Sequence, residues 1–271
     1  SMKVGLNGAR LHEKIFEERF HYWADKLGYL TWGEFPDWGI PRTYNKPMAW
    51  VNLTREWREE ILRDFNHPSI LTWTPMNETH DFKRGYEEYR RAAEEVYHLT
   101  SDLDPTRPVN NSSGWLHIIT DIWTVHDYAQ NPERLRERYK DLKPGGKDVV
   151  HMAPWGWLGN APEYDVEYEG QPFVVDEYGG TFWTPDYATE EPRGNGREQW
   201  GYGKSQEEVT DLIDKLTRAL LENPDIAGYT YTQLTDVEQE VNGIYTFDRE
   251  LKFDAEELRE IFGGPAAIEN Q

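Results

Sequence analysis

Two glutamates stand in the same relation to strand-like runs. Glu78 closes Ile70-Leu-Thr-Trp-Thr-Pro-Met-Asn77-Glu78, and Glu177 closes Phe173-Val-Val-Asp-Glu177. A pair of carboxyl groups at the C-terminal ends of two inner strands can cleave a glycosidic bond. One carboxylic acid protonates the leaving oxygen, and one carboxylate attacks carbon or activates water. An acidic residue after a strand also serves as a helix N-cap or a solvated loop group, so either glutamate alone says little. The pair, with Asn77 beside one member, says considerably more.

The elements that must hold these groups alternate along the chain. Strand-like runs fall at residues 5–11, 29–33, 69–75, 108–111, 119–125, 172–176 and 226–233. Amphipathic helices fall between them at 14–27, 54–65, 81–103, 132–142 and 205–220, with a short last helix opening at Asp254. Ser205-Gln-Glu-Glu208 ahead of Val209 reads as a capping box. Strand–helix alternation implies an α/β fold with a parallel sheet and helical crossovers, and residues 1–271 read as one domain without a linker. Seven strands are legible, whereas a closed (β/α)8 barrel of the TIM type has eight. The expected architecture is therefore an incomplete barrel. Loops at 152–171 and 181–204 are long, and long ordered loops are usually functional.

Composition narrows the classes further. The chain of 271 residues carries a formal charge of -21, which argues against a nucleic-acid or anionic-membrane partner, since both need a basic footprint. It has no cysteine, which excludes disulfides and thiolate metal sites. No apolar run approaches the roughly 20 residues of a membrane-spanning helix and no signal-peptide core is present, so a cytoplasmic location is expected. Twelve Trp and 16 Tyr offer apolar faces with polar edges, a composition suited to stacking on sugar rings and equally to a large core.

Several segments together carry a resemblance. Arg63-Asp-Phe-Asn66-His-Pro-Ser-Ile70 running into Trp73-Thr-Pro-Met-Asn77-Glu78 resembles the acid/base signature of glycoside hydrolase family 2, the family of β-galactosidases, β-glucuronidases and β-mannosidases. Val175-Asp-Glu177-Tyr-Gly resembles its nucleophile strand, Asn7-Gly-Ala-Arg10-Leu-His12 its second strand, and Gly28-Tyr-Leu-Thr-Trp-Gly-Glu34 its third. Residues 228–236 and 246–249 resemble its eighth strand and exit. The resemblance implies that Glu78 is the acid/base and Glu177 the nucleophile of a retaining double displacement. It implies that Asn77 bonds the sugar 2-hydroxyl, with helix capping as its other reading. Tyr128 matches a strand-six tyrosine that orients the nucleophile; otherwise it is a core residue. His12 and His126 are candidates for contact with the sugar, His126 equally for a structural role. Arg10 would brace the carboxylates. Tyr231 lies near a strand-eight aromatic on which the sugar stacks, and Trp38, Trp155, Trp157 and Trp183 are further platforms or loop packing. No metal set matches and no cofactor is implied; Asp236, Glu238 and Glu240 cluster without a ligand pattern.

Glucuronidases of the family carry Asn-x-Lys where this chain has Glu240-Val-Asn242, an acid that would repel a uronate. Neutral β-glycosides, galactosides first, are the implied substrates of an exo-acting enzyme. The alternative is an inactive barrel fragment with at most weak carbohydrate binding. Against the family pattern, the domains before the barrel and its first strand are not found. The gap is expected between the strands at 7–11 and 226–233, where open edges would invite a homo-oligomer or a neighbouring segment.

Overall fold

The computed structural model describes residues 1–37, 46–78, 82–114, 116–145, 166–188 and 201–270. Trp38, Trp155 and Trp157 lie outside these residues. Six strands form two parallel three-stranded sheets. The first has the order β1 (Gly8–Arg10), β2 (Leu30–Glu34), β3 (Ile70–Thr74), and the second β4 (Trp123–Asp127), β5 (Phe173–Gly179), β6 (Ile226–Thr232). The helices α1 (Glu18–Leu27), α2 (Pro47–Asp64), α3 (Phe82–Leu103), α4 (Pro132–Tyr139), α5 (Gln206–Leu221) and α6 (Ala255–Phe262) alternate with them.

Local sequence sets the helix ends. The N–H of Gly28, at φ 69°, turns back onto Ala24 and Asp25 carbonyls and stops α1. Asn131, Ser205 and Asp254 cap α4, α5 and α6 by accepting backbone N–H groups. Helix α2 begins at Pro47, earlier than residue 54, because proline at the first helical position loses a donor that would be unpaired anyway.

The two sheets meet through the segment 108–113. The expected strand at 108–111 is instead a run of isolated parallel bridges, Trp73 to Val109 and Asn77 to Ser113. Pro108 supplies no N–H, and the polar side chains that follow compete with a ladder: Asn110 Oδ1 accepts from the Thr124 hydroxyl at 3.3 Å. Strand β4 likewise starts later than residue 119, since Thr120 bonds the Ile122 carbonyl and Asp121 receives the Val109 N–H.

The core has two parts, each a sheet against its helices. Trp57, Ile61, Trp73, Tyr89 and Val96 join β3 to α2 and α3. Trp123, Phe173, Tyr178, Ile213, Leu216 and Phe262 join β4–β6 to α4–α6. The barrel does not close among the described residues: β1 pairs only with β2, and β6 only with β5. A cavity of about 1190 Å³ runs along this seam, lined by Asn7, Gly8, Ile226, Tyr229 and Phe262. Leu71 on β3 also lines it and is 43% exposed, while its neighbour Ile70 is 2% exposed. The gap thus falls between the strands where the eight-strand arithmetic puts it.

Candidate active site

Parallel strands aim their C-terminal ends at one face, and the candidate residues gather there. Arg10 ends β1, Glu34 ends β2, Asn77 and Glu78 follow β3, Ser113 ends the bridged segment, and His126 and Tyr128 come from the end of β4. Asp176 and Glu177 are consecutive on β5, yet both point inward. The register explains this: Thr124 pairs with Val174 but His126 with Glu177, so β5 carries one extra residue against β4. The same slip recurs against β6, where Val175 pairs with Tyr229 and Tyr178 with Tyr231. A bulge of this kind re-aims side chains and is favoured beside functional sites.

Arg10 is the hub. Its guanidinium grips Glu34 through Nε at 2.6 Å and one terminal nitrogen at 2.9 Å, and reaches Glu177 Oε1 at 2.6 Å and Asn77 Oδ1 at 2.5 Å. Burial alone would weaken its charge, but Glu34, Glu177 and Asp176 outweigh that and hold it protonated. Asn77 is buried with both ends engaged, Oδ1 by Arg10 and Nδ2 by Glu13 Oε1 at 3.0 Å. Tyr128 donates its hydroxyl to Glu177 Oε2 and lies 3.3 Å from the Thr232 hydroxyl. Burial pushes Glu177 up, yet His126, Arg10, His12 and the Tyr128 hydroxyl together pull it down to about 2. Glu177 is therefore an anion over the working pH range.

His126 is fully buried, so it meets the site through the carboxylates and has no face for a sugar. Gly114, at φ 86°, makes room for it: a Cβ there would sit 2.9 Å from the ring. Nδ1 lies 2.6 Å from Glu78 Oε1 and 3.3 Å from Glu177 Oε2. Nε2 lies 2.9 Å from Ser113 Oγ, and that hydroxyl gives its hydrogen to Asp176 Oδ2 at 2.6 Å. Ser113 must then accept from Nε2, leaving Nδ1 to face two carboxylates. Burial opposes the charged ring, but Glu177, Asp176 and Glu78 overcome it and raise its pKa to about 10. Glu78, His126 and Glu177 bring one ligand-type atom each within 4.8 Å of the others.

The remaining candidates divide. His12 is half-exposed, with Nδ1 at 2.9 Å from an Arg10 nitrogen, and borders the open pocket. Tyr231 does not face the site. Strand alternation turns it outward onto Tyr178 and Phe262, and Gly179 leaves room for its ring, whose nearest carbon would be 2.4 Å from an added Cβ. Trp183 is buried against Phe253 in the core. Lys252 neutralises Asp236 at 2.9 Å, so that acid is a structural ion pair.

Sequence reading missed Glu13, Glu34, Ser113 and Asp176 as site residues. Glu34 could have been found from its place at the end of a buried strand, as Glu177 was. Glu13 could not, since its position depends on a φ of 51° in the loop after β1.

Residues 42–264 match the family description "Glycosyl hydrolases family 2, TIM barrel domain". The chain is 33% identical over 169 residues to a β-galactosidase of Thermoanaerobacterium thermosulfurigenes, covering 56% of this chain and 22% of that one. It is 28% identical over 241 residues to a β-galactosidase of Psychromonas ingrahamii, covering 85% of this chain and 20% of that one. Its fold is similar to that of a β-galacturonidase from Eisenbergiella tayi solved with glycerol, with a TM-score of 0.71 and 20% identity over 96% of this chain and 45% of that one. The chain thus spans about a fifth of the length of these two curated relatives. With a parallel strand–helix order, two carboxylates at strand ends and a family match over most of its length, the chain belongs to glycosyl hydrolase family 2, as its TIM-barrel domain.

Proposed function

We propose that this barrel is the catalytic part of a retaining exo-β-glycosidase acting on neutral β-glycosides, with Glu177 as nucleophile and Glu78 as acid/base. The observation that carries the reading is the carboxylate pair: one oxygen of Glu78 and one of Glu177 lie within 4.8 Å. Retaining enzymes keep their carboxyl groups about 5–5.5 Å apart, and inverting enzymes about 6.5–9.5 Å to admit a water. In the first step Glu177 attacks the anomeric carbon, the glycosidic C–O bond breaks, and Glu78 gives its proton to the departing oxygen. In the second, water attacks that carbon, Glu78 takes its proton, and Glu177 leaves as a carboxylate. Tyr128 and Arg10 each hold one oxygen of Glu177, fixing the attacking lone pair and favouring its charge.

A neutral sugar fits the charges at the pocket mouth. Glu240 lines the same opening as Glu78 and Glu177, and Gln233 Nε2 bridges it at 3.2 Å to Asn242 Oδ1 at 2.9 Å. A sugar carboxylate there would meet Glu240.

The open seam favours a second reading for the chain by itself. Arg10 and His12 stand at the edge of β1 that has no partner strand among the described residues, so the braces of Glu177 are unsupported on that side, and weak sugar binding with little turnover would result. A panel of nitrophenyl β-glycosides, assayed on this chain and on a longer polypeptide containing it, separates the readings. β-Galactoside cleavage is expected above that of β-glucuronide. Glu78→Gln should lose roughly 10²–10⁴-fold on poor leaving groups and much less on dinitrophenyl ones. A loss equal across leaving groups would refute the acid/base role.

A further inference from the structure

The carboxylates are not the only groups in the site placed to hold a proton. His126 stands between them, wholly buried, with Nδ1 at 2.6 Å from Glu78 Oε1 and 3.3 Å from Glu177 Oε2. Its other nitrogen is committed to Ser113, which is committed to Asp176. Ser113 and Asp176 therefore fix the ring so that only the Nδ1 proton can move, and its one short path leads to Glu78. Charged and titratable groups face the ring from every neighbouring element: Glu78 after β3, Asp176 and Glu177 on β5, and Tyr128 after β4. Arg10 stands one contact further, through Glu177, and Glu34 beyond it, through Arg10.

We propose that His126 Nδ1 holds the proton that Glu78 delivers to the leaving group, so that the free site stores its acid on the imidazole. This rests on the roles given above to Glu78 and Glu177. As Glu177 closes on the anomeric carbon, the Nδ1–H bond breaks and an O–H bond forms on Glu78 Oε1, leaving a neutral ring. The carboxyl group, no longer held as an ion pair, turns that O–H to the glycosidic oxygen, which takes the proton as its bond to carbon breaks. The trigger is electrostatic. As Glu177 forms its bond to carbon its charge disappears, and with it one of the attractions that keep the imidazolium charged. Attack by the nucleophile and supply of the acid are thereby coupled. In the second step the proton from water passes through Glu78 to Nδ1 and restores the start.

His126 is thus a positioning residue that acts through Glu78, and two readouts test it. In 15N-labelled chain, the ring signals that vanish in His126→Asn should report both nitrogens protonated at pH 8. An unprotonated Nδ1 at pH 7 would overturn the proposal. If His126→Asn does not fold, Ser113→Ala identifies the same signals by shifting them. In kinetics, His126→Asn should move the alkaline limb of kcat/KM to lower pH by a unit or more. It should cost roughly 10²-fold on leaving groups of high pKa while sparing dinitrophenyl glycosides. An unmoved limb with an equal loss on all leaving groups means a merely structural histidine. Absence of turnover in a longer polypeptide containing this chain counts against the glycosidase reading, and the NMR result still decides where the proton sits.

Discussion

Stability against pH should betray the buried imidazolium. The ring's pKa rises from 6.5 to about 10 on folding, with burial opposing and Glu177, Asp176 and Glu78 prevailing. A group whose pKa is raised in the folded state binds its proton there after the unfolded chain has lost it. Its contribution is full below the unfolded value and disappears as pH climbs toward the folded one. Each pH unit in that window costs about 1.4 kcal/mol, so the full span amounts to roughly 5 kcal/mol and the part between pH 7 and 9 to about 2–3 kcal/mol. The depression of Glu177 is the same attraction seen from its other end and is counted once. Urea unfolding of the parent chain and of His126→Asn at pH 7, 8 and 9 measures it. The parent should lose about 2–3 kcal/mol more than the variant across that range. Parallel pH dependences in the two proteins would refute a charged His126.

Two further outcomes follow from the site and the seam. Tyr128→Phe removes a hydrogen bond to a charged group, worth about 1.5–3 kcal/mol, so kcat/KM should fall roughly 10–150-fold, and an unchanged value would detach Tyr128 from Glu177. Leu71→Ala should cost under about 1 kcal/mol and Ile70→Ala about 2–5 kcal/mol in urea unfolding, because only Ile70 is enclosed; equal costs would mean that a strand or a second copy closes the seam in solution.

The carboxylate pair was legible because each member directly follows a buried apolar run, the one pattern that short strands print clearly. The incomplete barrel was legible by the same counting. The bulge on β5 was not: Val174-Val-Asp-Glu177 carries no mark of an extra residue, yet it brings Asp176 to Ser113 while Glu177 reaches Arg10. Tyr231 was misplaced because aromatic character does not reveal which face of a strand a residue occupies. Residues 108–113 look like a strand by composition, and only their competing side chains show why they bridge two sheets without a ladder. His126 illustrates the limit best, since its charge depends on Glu78, Ser113, Asp176 and Glu177, four groups from three separate segments that no local pattern connects.

Covalent trapping tests the central claim most directly. A 2-deoxy-2-fluoro β-galactoside with a dinitrophenyl leaving group, incubated with this chain or a longer polypeptide containing it, should add one fluorosugar by mass. Peptide mapping should place that sugar on Glu177. Labelling of another residue, or an α-configured first product with no adduct in an active preparation, would contradict a retaining mechanism through Glu177.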